Sequence, residues 1–266
     1  MHARPAHHPA GNRLWLLSGT GEGPLLAKAL LARGWRLRVW VVSGAAARSY
    51  PVAPTLELAV GPIGGPQAVA AALVQAELAG DLPVWVVDAT HPFARRISAD
   101  LAAACRLRGQ PLLRLLRPLL PCGGATLLED LHALSTIPLA GRSLLLAIGA
   151  RHLATAMAHS PGSRHHARIL PSSSALAQAM AAGLAADRVA CLHPSKGGEI
   201  ERALCRRWGI EAVLCRRSGG VTESLWHTLS AESGLPLLLL ERPPEPAGLE
   251  CHGLGSLLDR LGTPEL

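Results

Sequence analysis

The chain has 266 residues, 49% of them hydrophobic, which is enough for one large domain or two of ordinary size with a true core. Its longest apolar runs, such as Leu14 to Leu17 and Leu235 to Leu240, fall far short of the ~20 residues that cross a bilayer, so no membrane partner is expected. The formal charge of +7 rests almost wholly on arginine and favours anionic ligands, while 3% aromatic content and the lack of a basic run exclude nucleic acid as a partner.

Residues 1–12, MHARPAHHPAGN, lack the apolar stretch of a signal peptide and read as a flexible tail, so the expected location is cytoplasmic. From Leu14 onward short β-like runs alternate with helical patterns, the mark of βα units and a parallel sheet. The first half predicts strands at Leu14 to Leu17, Leu37 to Val42, Leu56 to Val60, Val84 to Val87 and Leu112 to Leu115. Helices are expected between them, at Pro24 to Arg33, Gln67 to Leu78 and Phe93 to Arg108. The last is typical: Pro92 opens an alanine-rich segment in which Ile97, Leu101, Ala104 and Cys105 recur at helical spacing.

The segment Gly109-Gln-Pro-Leu-Leu-Arg-Leu-Leu-Arg-Pro118 returns 125 positions later as Gly234-Leu-Pro-Leu-Leu-Leu-Leu-Glu-Arg-Pro243. Such a rhyme predicts two α/β domains that each end in a helix, a tight turn and a strand followed by Arg-Pro, although two unrelated turns would look the same. Strands of the second half are expected at Ser143 to Ile148, Arg168 to Leu170, Val189 to Leu192, Ala212 to Cys215 and Pro236 to Leu240. The predicted fold is α/β, with two Rossmann-like parallel-sheet domains, residues 13–120 and 121–266, and a cleft between them. Pro121, Gly123 and Gly124 break the pattern at the boundary.

Polar loops follow the predicted strands, and open α/β sheets bind ligands at such carboxyl ends. After the first strand, Ser18-Gly-Thr-Gly-Glu-Gly-Pro24 could lay backbone N–H groups on a phosphate, with Gly19, Thr20, Gly21 and Glu22 as cofactor-binding candidates. It is not G-x-G-x-x-G, because Pro24 stands where the third glycine would be, and a tight turn alone is the other explanation. After the second strand come Ser43 and Arg48 with no acid between them, a pattern that favours the 2′-phosphate of NADPH over NADH unless Arg48 is simply solvated. After the fourth strand stand Asp88, Thr90 and His91, more polar groups than one helix cap requires. Asp88 and His91 are the catalytic candidates. Six cysteines without a C-x-x-C pair, and histidine pairs that point apart, indicate neither a disulfide framework nor a metal site.

Taken in order, GTGE, SGAAAR, a G-x-x-GG turn, DATHPFARRIS, the Arg-Pro after strand five, the late Ser-Gly-Gly and the closing Arg-Pro resemble the precorrin-6A reductase family of corrin biosynthesis. The resemblance runs from Arg13 to about Pro243. It implies an NADPH-dependent, metal-free reductase that saturates one carbon–carbon double bond of a ring-contracted tetrapyrrole, either precorrin-6A or its cobalt-containing counterpart. It further implies cofactor contacts at Gly64 and Thr90, substrate contacts at Arg95, Ser98, Arg117, Arg217, Ser218, Gly219 and Gly220, and neighbouring corrin-pathway enzymes as candidate partners. His91 becomes the candidate proton donor with Asp88 orienting it, solvent being the alternative source. The chain departs from the family pattern at Ile63, at Ser195 and at Trp226, where a phenylalanine, another phenylalanine and a lysine are usual. Other readings of the same loops are a different NADPH-dependent reductase, a nucleotide-sugar enzyme, or a non-catalytic dinucleotide-binding regulator.

Overall fold

A computed structural model describes residues 11–19, 21–195 and 197–264. The chain forms two compact units, one ending at Pro118 and taking the chain back at Pro243, the other spanning Leu119–Arg242. The expected tail lies mostly outside the described residues, and Asn12 already accepts a 2.7 Å hydrogen bond from the Arg36 amide.

Unit 1 runs β1 (Arg13–Ser18), α1 (Glu22–Ala32), β2 (Arg36–Val41), α2 (Gly44–Ala47), β3 (Leu56–Val60), α3 (Gly65–Leu78), β4 (Trp85–Ala89), α4 (Arg95–Arg108) and β5 (Leu112–Leu115). Helices cover both faces of its sheet, which is why β1 and β4 are buried at every residue and read as continuous rather than alternating apolar runs. One face packs Leu14, Leu16, Val39 and Val87 against Leu26 and Leu30 of α1. The other packs Trp15, Leu17 and Val86 against Leu73 of α3 and Leu101 of α4. Each fully buried leucine contributes about 1.5–3 kcal/mol to this sandwich.

Unit 2 runs β6 (Thr126–Leu128), β7 (Ser143–Ala147), α5 (Leu153–Ala158), β8 (Arg164–Ile169), α6 (Ser173–Ala181), β9 (Val189–Cys191), α7 (Glu199–Trp208), β10 (Ala212–Arg216), α8 (Val221–Ser233) and β11 (Leu237–Leu240). The chain then re-enters unit 1 as β12 (Glu250–His252) and α9 (Leu254–Leu261). This return corrects the expectation that everything from residue 121 belongs to the second domain. β12 pairs in parallel with β5, Glu250 opposite Leu113, while Leu257 and Leu261 of α9 join the core beside α1.

The two sheets share one plan: β12-β5-β4-β1-β2-β3 and β6-β11-β10-β7-β8-β9, all strand pairs parallel. In each, the chain moves outward on one side of the first long strand and then switches to the other. That leaves a crevice at the carboxyl ends of β1 and β4 and of β7 and β10, the usual ligand position of doubly wound sheets. The sequence rhyme is structural: Gly109 and Gly234 end α4 and α8 in the left-handed region, at φ 62° and 64°, and β5 and β11 follow at matching offsets. β8 starts at Arg164, earlier than expected, because His165 and His166 are buried strand residues despite their polarity. No helix among the described residues is long and apolar enough to cross a membrane.

Candidate functional site

At the unit 1 crevice β1 ends in the buried Ser18, and α1 starts at Glu22 after a cap residue, Gly21, that offers no side-chain bond to the helix amides. A Cβ built at Gly19 or Gly21 would meet no atom within 4 Å, so the loop faces open space and its backbone can approach a ligand. Gly23 is the opposite. A Cβ there would lie 1.8 Å from Ser18 Oγ, 2.3 Å from Tyr50 Oη and 2.8 Å from Ser18 Cβ, so glycine is what lets α1 close on β1. Pro24 stands where a G-x-G-x-x-G turn has its third glycine, and Gly23, one residue earlier, performs that packing role. Thr20 lies outside the described residues.

At the end of β4, Asp88 is fully buried and pairs at 2.8 Å with Nη1 of Arg114, itself 1% exposed, on the adjacent β5. Asp88 Oδ1 also accepts the Thr90 amide at 2.9 Å, while Oδ2 has no hydrogen-bond partner among the described residues. Arg114 donates further to Thr90 Oγ1 at 3.0 Å and to Glu245 of the returning segment at 2.9 Å. The Asp88 carboxylate thus faces Arg114 and the Thr90 amide. Burying a carboxylate in a sheet requires a cation beside it, and β5 supplies it. The same carboxylate, after burial itself, helps push the Cys105 thiol up to about 12, so this cysteine is an inert core residue. His91 Nδ1 accepts the Phe93 amide at 3.1 Å, so the neutral imidazole carries its proton on Nε2.

The remaining unit 1 candidates divide. Glu22 and Arg117, expected to touch cofactor and substrate respectively, form an ion pair with each other at 2.6 Å. Ser43 caps α2, accepting the Ala46 amide at 3.3 Å, and Arg48 is exposed just beyond that helix. Gly64 precedes α3 with open space beside it. Arg95 is exposed, whereas Ser98 is buried with its hydroxyl 3.3 Å from Thr90 Oγ1. Arg95, Ser98, Arg114 and Glu245 border a hollow of about 220 Å³. That is below the several hundred Å³ of ordinary ligand pockets, and a tetrapyrrole would not fit inside it.

In unit 2 the expected substrate loop is largely self-satisfied. Arg217 pairs with Glu241 at 2.6 Å, Ser218 is buried, and the Gly219 amide donates to Glu223 at 2.5 Å before Gly220 leads into α8. Trp226, where the resemblance expects a lysine, is a buried core residue packed with Leu145 and Val213. Ser195 bonds the buried Glu201 through both its amide, at 3.2 Å, and its hydroxyl, at 2.5 Å. Lys196 lies outside the described residues. Sequence reasoning missed Arg114, although an arginine inside the four-residue buried strand LLRL was the available signal.

The profile of the family described as Precorrin-6x reductase CbiJ/CobK matches residues 13–261. A cobalt-precorrin-6A reductase of Synechocystis sp. is 34% identical over 236 residues, covering 86% of this chain and 88% of that protein. A precorrin-6A reductase of Rhodobacter capsulatus is 33% identical over 263 residues, covering 95% and 98%. Among solved structures, one titled CobK precorrin-6A reductase superposes with a TM-score of 0.74 at 26% identity, covering 96% of this chain and all of that one.

Proposed function

Because the chain belongs to the Precorrin-6x reductase CbiJ/CobK family, we propose that it reduces one carbon–carbon double bond of precorrin-6A, or of the cobalt-containing form, with NADPH, in the cytoplasm. The observation that carries this reading within the fold is the glycine turn of unit 1. It opens a helix at the topological switch point, with clear space at Gly19 and Gly21 where a pyrophosphate would approach.

In this reading the Gly19 to Glu22 turn holds the pyrophosphate, Gly64 lines the same sheet edge, and the exposed Arg48 meets the 2′-phosphate beyond β2. The bound dihydronicotinamide supplies the hydride. Thr90, fixed by Arg114 and by the Asp88 carboxylate, keeps the β4 loop in one conformation beside the cofactor. To donate a proton to the neighbouring carbon of the double bond, His91 would first take up a solvent proton at Nδ1, releasing the Phe93 amide, and the imidazolium would then give up its Nε2 proton and return to the neutral form.

The test is anaerobic mixing of the purified chain with NADPH and with precorrin-6A or its cobalt form. Loss of NADPH absorbance matched mole for mole by a change in the tetrapyrrole spectrum is expected with one of the two, and no oxidation with either refutes the proposal. His91→Ala should lower kcat by about 10²- to 10⁴-fold with NADPH affinity unchanged. A stable, fully active variant would leave solvent as the proton source.

A further inference from the structure

Two turns of unit 1, the glycine turn between β1 and α1 and the Ser43 to Arg48 turn after β2, meet at a residue that was not among the sequence candidates. The second turn does not stop at Arg48. The Arg48 amide donates to the Gly44 carbonyl at 3.3 Å, and the Tyr50 amide donates to the Ala47 carbonyl at 3.1 Å, so the coil of α2 continues to Tyr50. Arg48 is exposed, whereas Tyr50 is buried in the apolar cluster that holds Leu26, Ala27 and Val41. The turn that bears Arg48 is thus pinned to the core through Tyr50.

The phenol of Tyr50 reaches the glycine turn. A Cβ built at Gly23 would stand 2.3 Å from Tyr50 Oη and 1.8 Å from Ser18 Oγ, so the two hydroxyls crowd one spot beside the start of α1. Ser18 Oγ is enclosed and has no well-formed hydrogen bond among the described residues, and the phenol is the partner beside it. Burial raises the Tyr50 phenol above its ordinary value, and the Ser18 hydroxyl, by bonding the phenolate, opposes part of that rise. Near neutral pH Tyr50 is therefore an uncharged hydroxyl that can donate or accept.

We infer that Tyr50 is a positioning residue whose hydroxyl, set against Ser18 and Gly23, fixes the Arg48 turn relative to the glycine turn, so that one NADPH molecule meets both at once. The inference rests on the reading of the chain as an NADPH enzyme. Two contacts on one ligand reinforce each other only when the distance between them is fixed beforehand, since otherwise binding must itself order the loop. NADH lacks the 2′-phosphate and gains nothing from a fixed Arg48. The Tyr50 hydroxyl therefore acts on the choice between the two cofactors more than on dinucleotide binding as such.

Full-length wild type, Tyr50→Phe, Ser18→Ala, Arg48→Ala and the double variant Tyr50→Phe/Arg48→Ala are titrated by fluorescence with NADPH and with NADH, and each is checked for its melting temperature. Tyr50→Phe keeps the ring in the core and removes only the hydroxyl. It should lower the ratio of NADPH to NADH affinity about fivefold, the scale of one lost hydrogen bond, and Ser18→Ala should do the same from the other side of the contact. On the Arg48→Ala background Tyr50→Phe should change NADPH affinity by less than about twofold, because the contact it positions is already gone. An unchanged ratio in Tyr50→Phe, an equal loss of both dinucleotides, or a full further loss on the Arg48→Ala background overturns the inference. Should Tyr50→Phe fail to fold, the ratio in Ser18→Ala decides in the same way. Tyr50 is the chain's only tyrosine, so its ionisation can be followed directly in the ultraviolet tyrosinate band. Without cofactor, Ser18→Ala should move that ionisation to higher pH, and an unmoved ionisation overturns the link between the two turns. A wild type that binds neither dinucleotide, or both equally, refutes the NADPH reading alone, since the tyrosinate titration reads the link with no ligand present.

Discussion

Replacing Arg114 by Met keeps the apolar stem and removes the guanidinium from the most enclosed ion pair of unit 1. Asp88, fully buried, would lose its 2.8 Å partner and keep the Thr90 amide, Oδ2 having no hydrogen-bond partner among the described residues. Removing one member of a buried pair costs about 3–5 kcal/mol, because the remaining charge stays desolvated. Glu245 and Thr90 lose bonds of 2.9 and 3.0 Å as well, but Glu245 is 20% exposed and rehydrates cheaply. At about 3–4 °C per kcal/mol for a unit of this size, the melting temperature should fall by about 10–20 °C. Asp88→Asn added to Arg114→Met should recover a large part of that loss, giving a coupling energy of about 2–3 kcal/mol in a double-mutant cycle read by thermal and urea unfolding. A single-variant cost of about 1 kcal/mol or less, the worth of a surface pair, would refute the assignment of Arg114 as the clamp of the β4 loop.

Gly23→Ala forces a Cβ against Ser18 Cβ and should destabilise the chain by about 1–3 kcal/mol in urea unfolding, whereas Gly19→Val, facing open space, should leave stability intact and weaken NADPH at least about tenfold. Arg48→Ala should weaken NADPH by about 1.5–3 kcal/mol in titrations and leave NADH unchanged, an equal loss of both arguing against the 2′-phosphate contact. His152, His165 and His166 are all held below the ordinary histidine value, chiefly by burial. The unfolded chain therefore binds protons near pH 6.5 that the fold refuses, so the urea midpoint should be level above that pH and fall between pH ~6.5 and ~5. A midpoint that rises over this window would contradict the sign, and His165→Asn should flatten the slope.

Much of the scaffold was legible because parallel strands covered on both faces tolerate almost no polar residue. β1, β4, β7 and β11 therefore appear as bare apolar runs. Gly109 and Gly234 were equally readable, since a helix that turns sharply into a strand needs a left-handed residue at its end. β6 and β12 were not, because three residues are too few to show a period, and Glu250-Cys-His252 carries no apolar run at all. The glycine turn could be recognised as a loop, but which glycine does the packing depended on where Ser18 and Tyr50 come to rest.

The chemistry at the strand ends shows the same division. The chain by itself determined that Asp88, Thr90 and His91 stand in one loop after a buried strand, and that arginine supplies nearly all of the positive charge. Only the tertiary structure decided that Asp88 answers to Arg114, and that Arg117 and Arg217 are tied to Glu22 and Glu241. Periodicity is a property of successive residues, so it survives in the sequence. The partner of a buried charge is chosen by which strand or turn lies beside it, and that neighbour can come from anywhere along the chain.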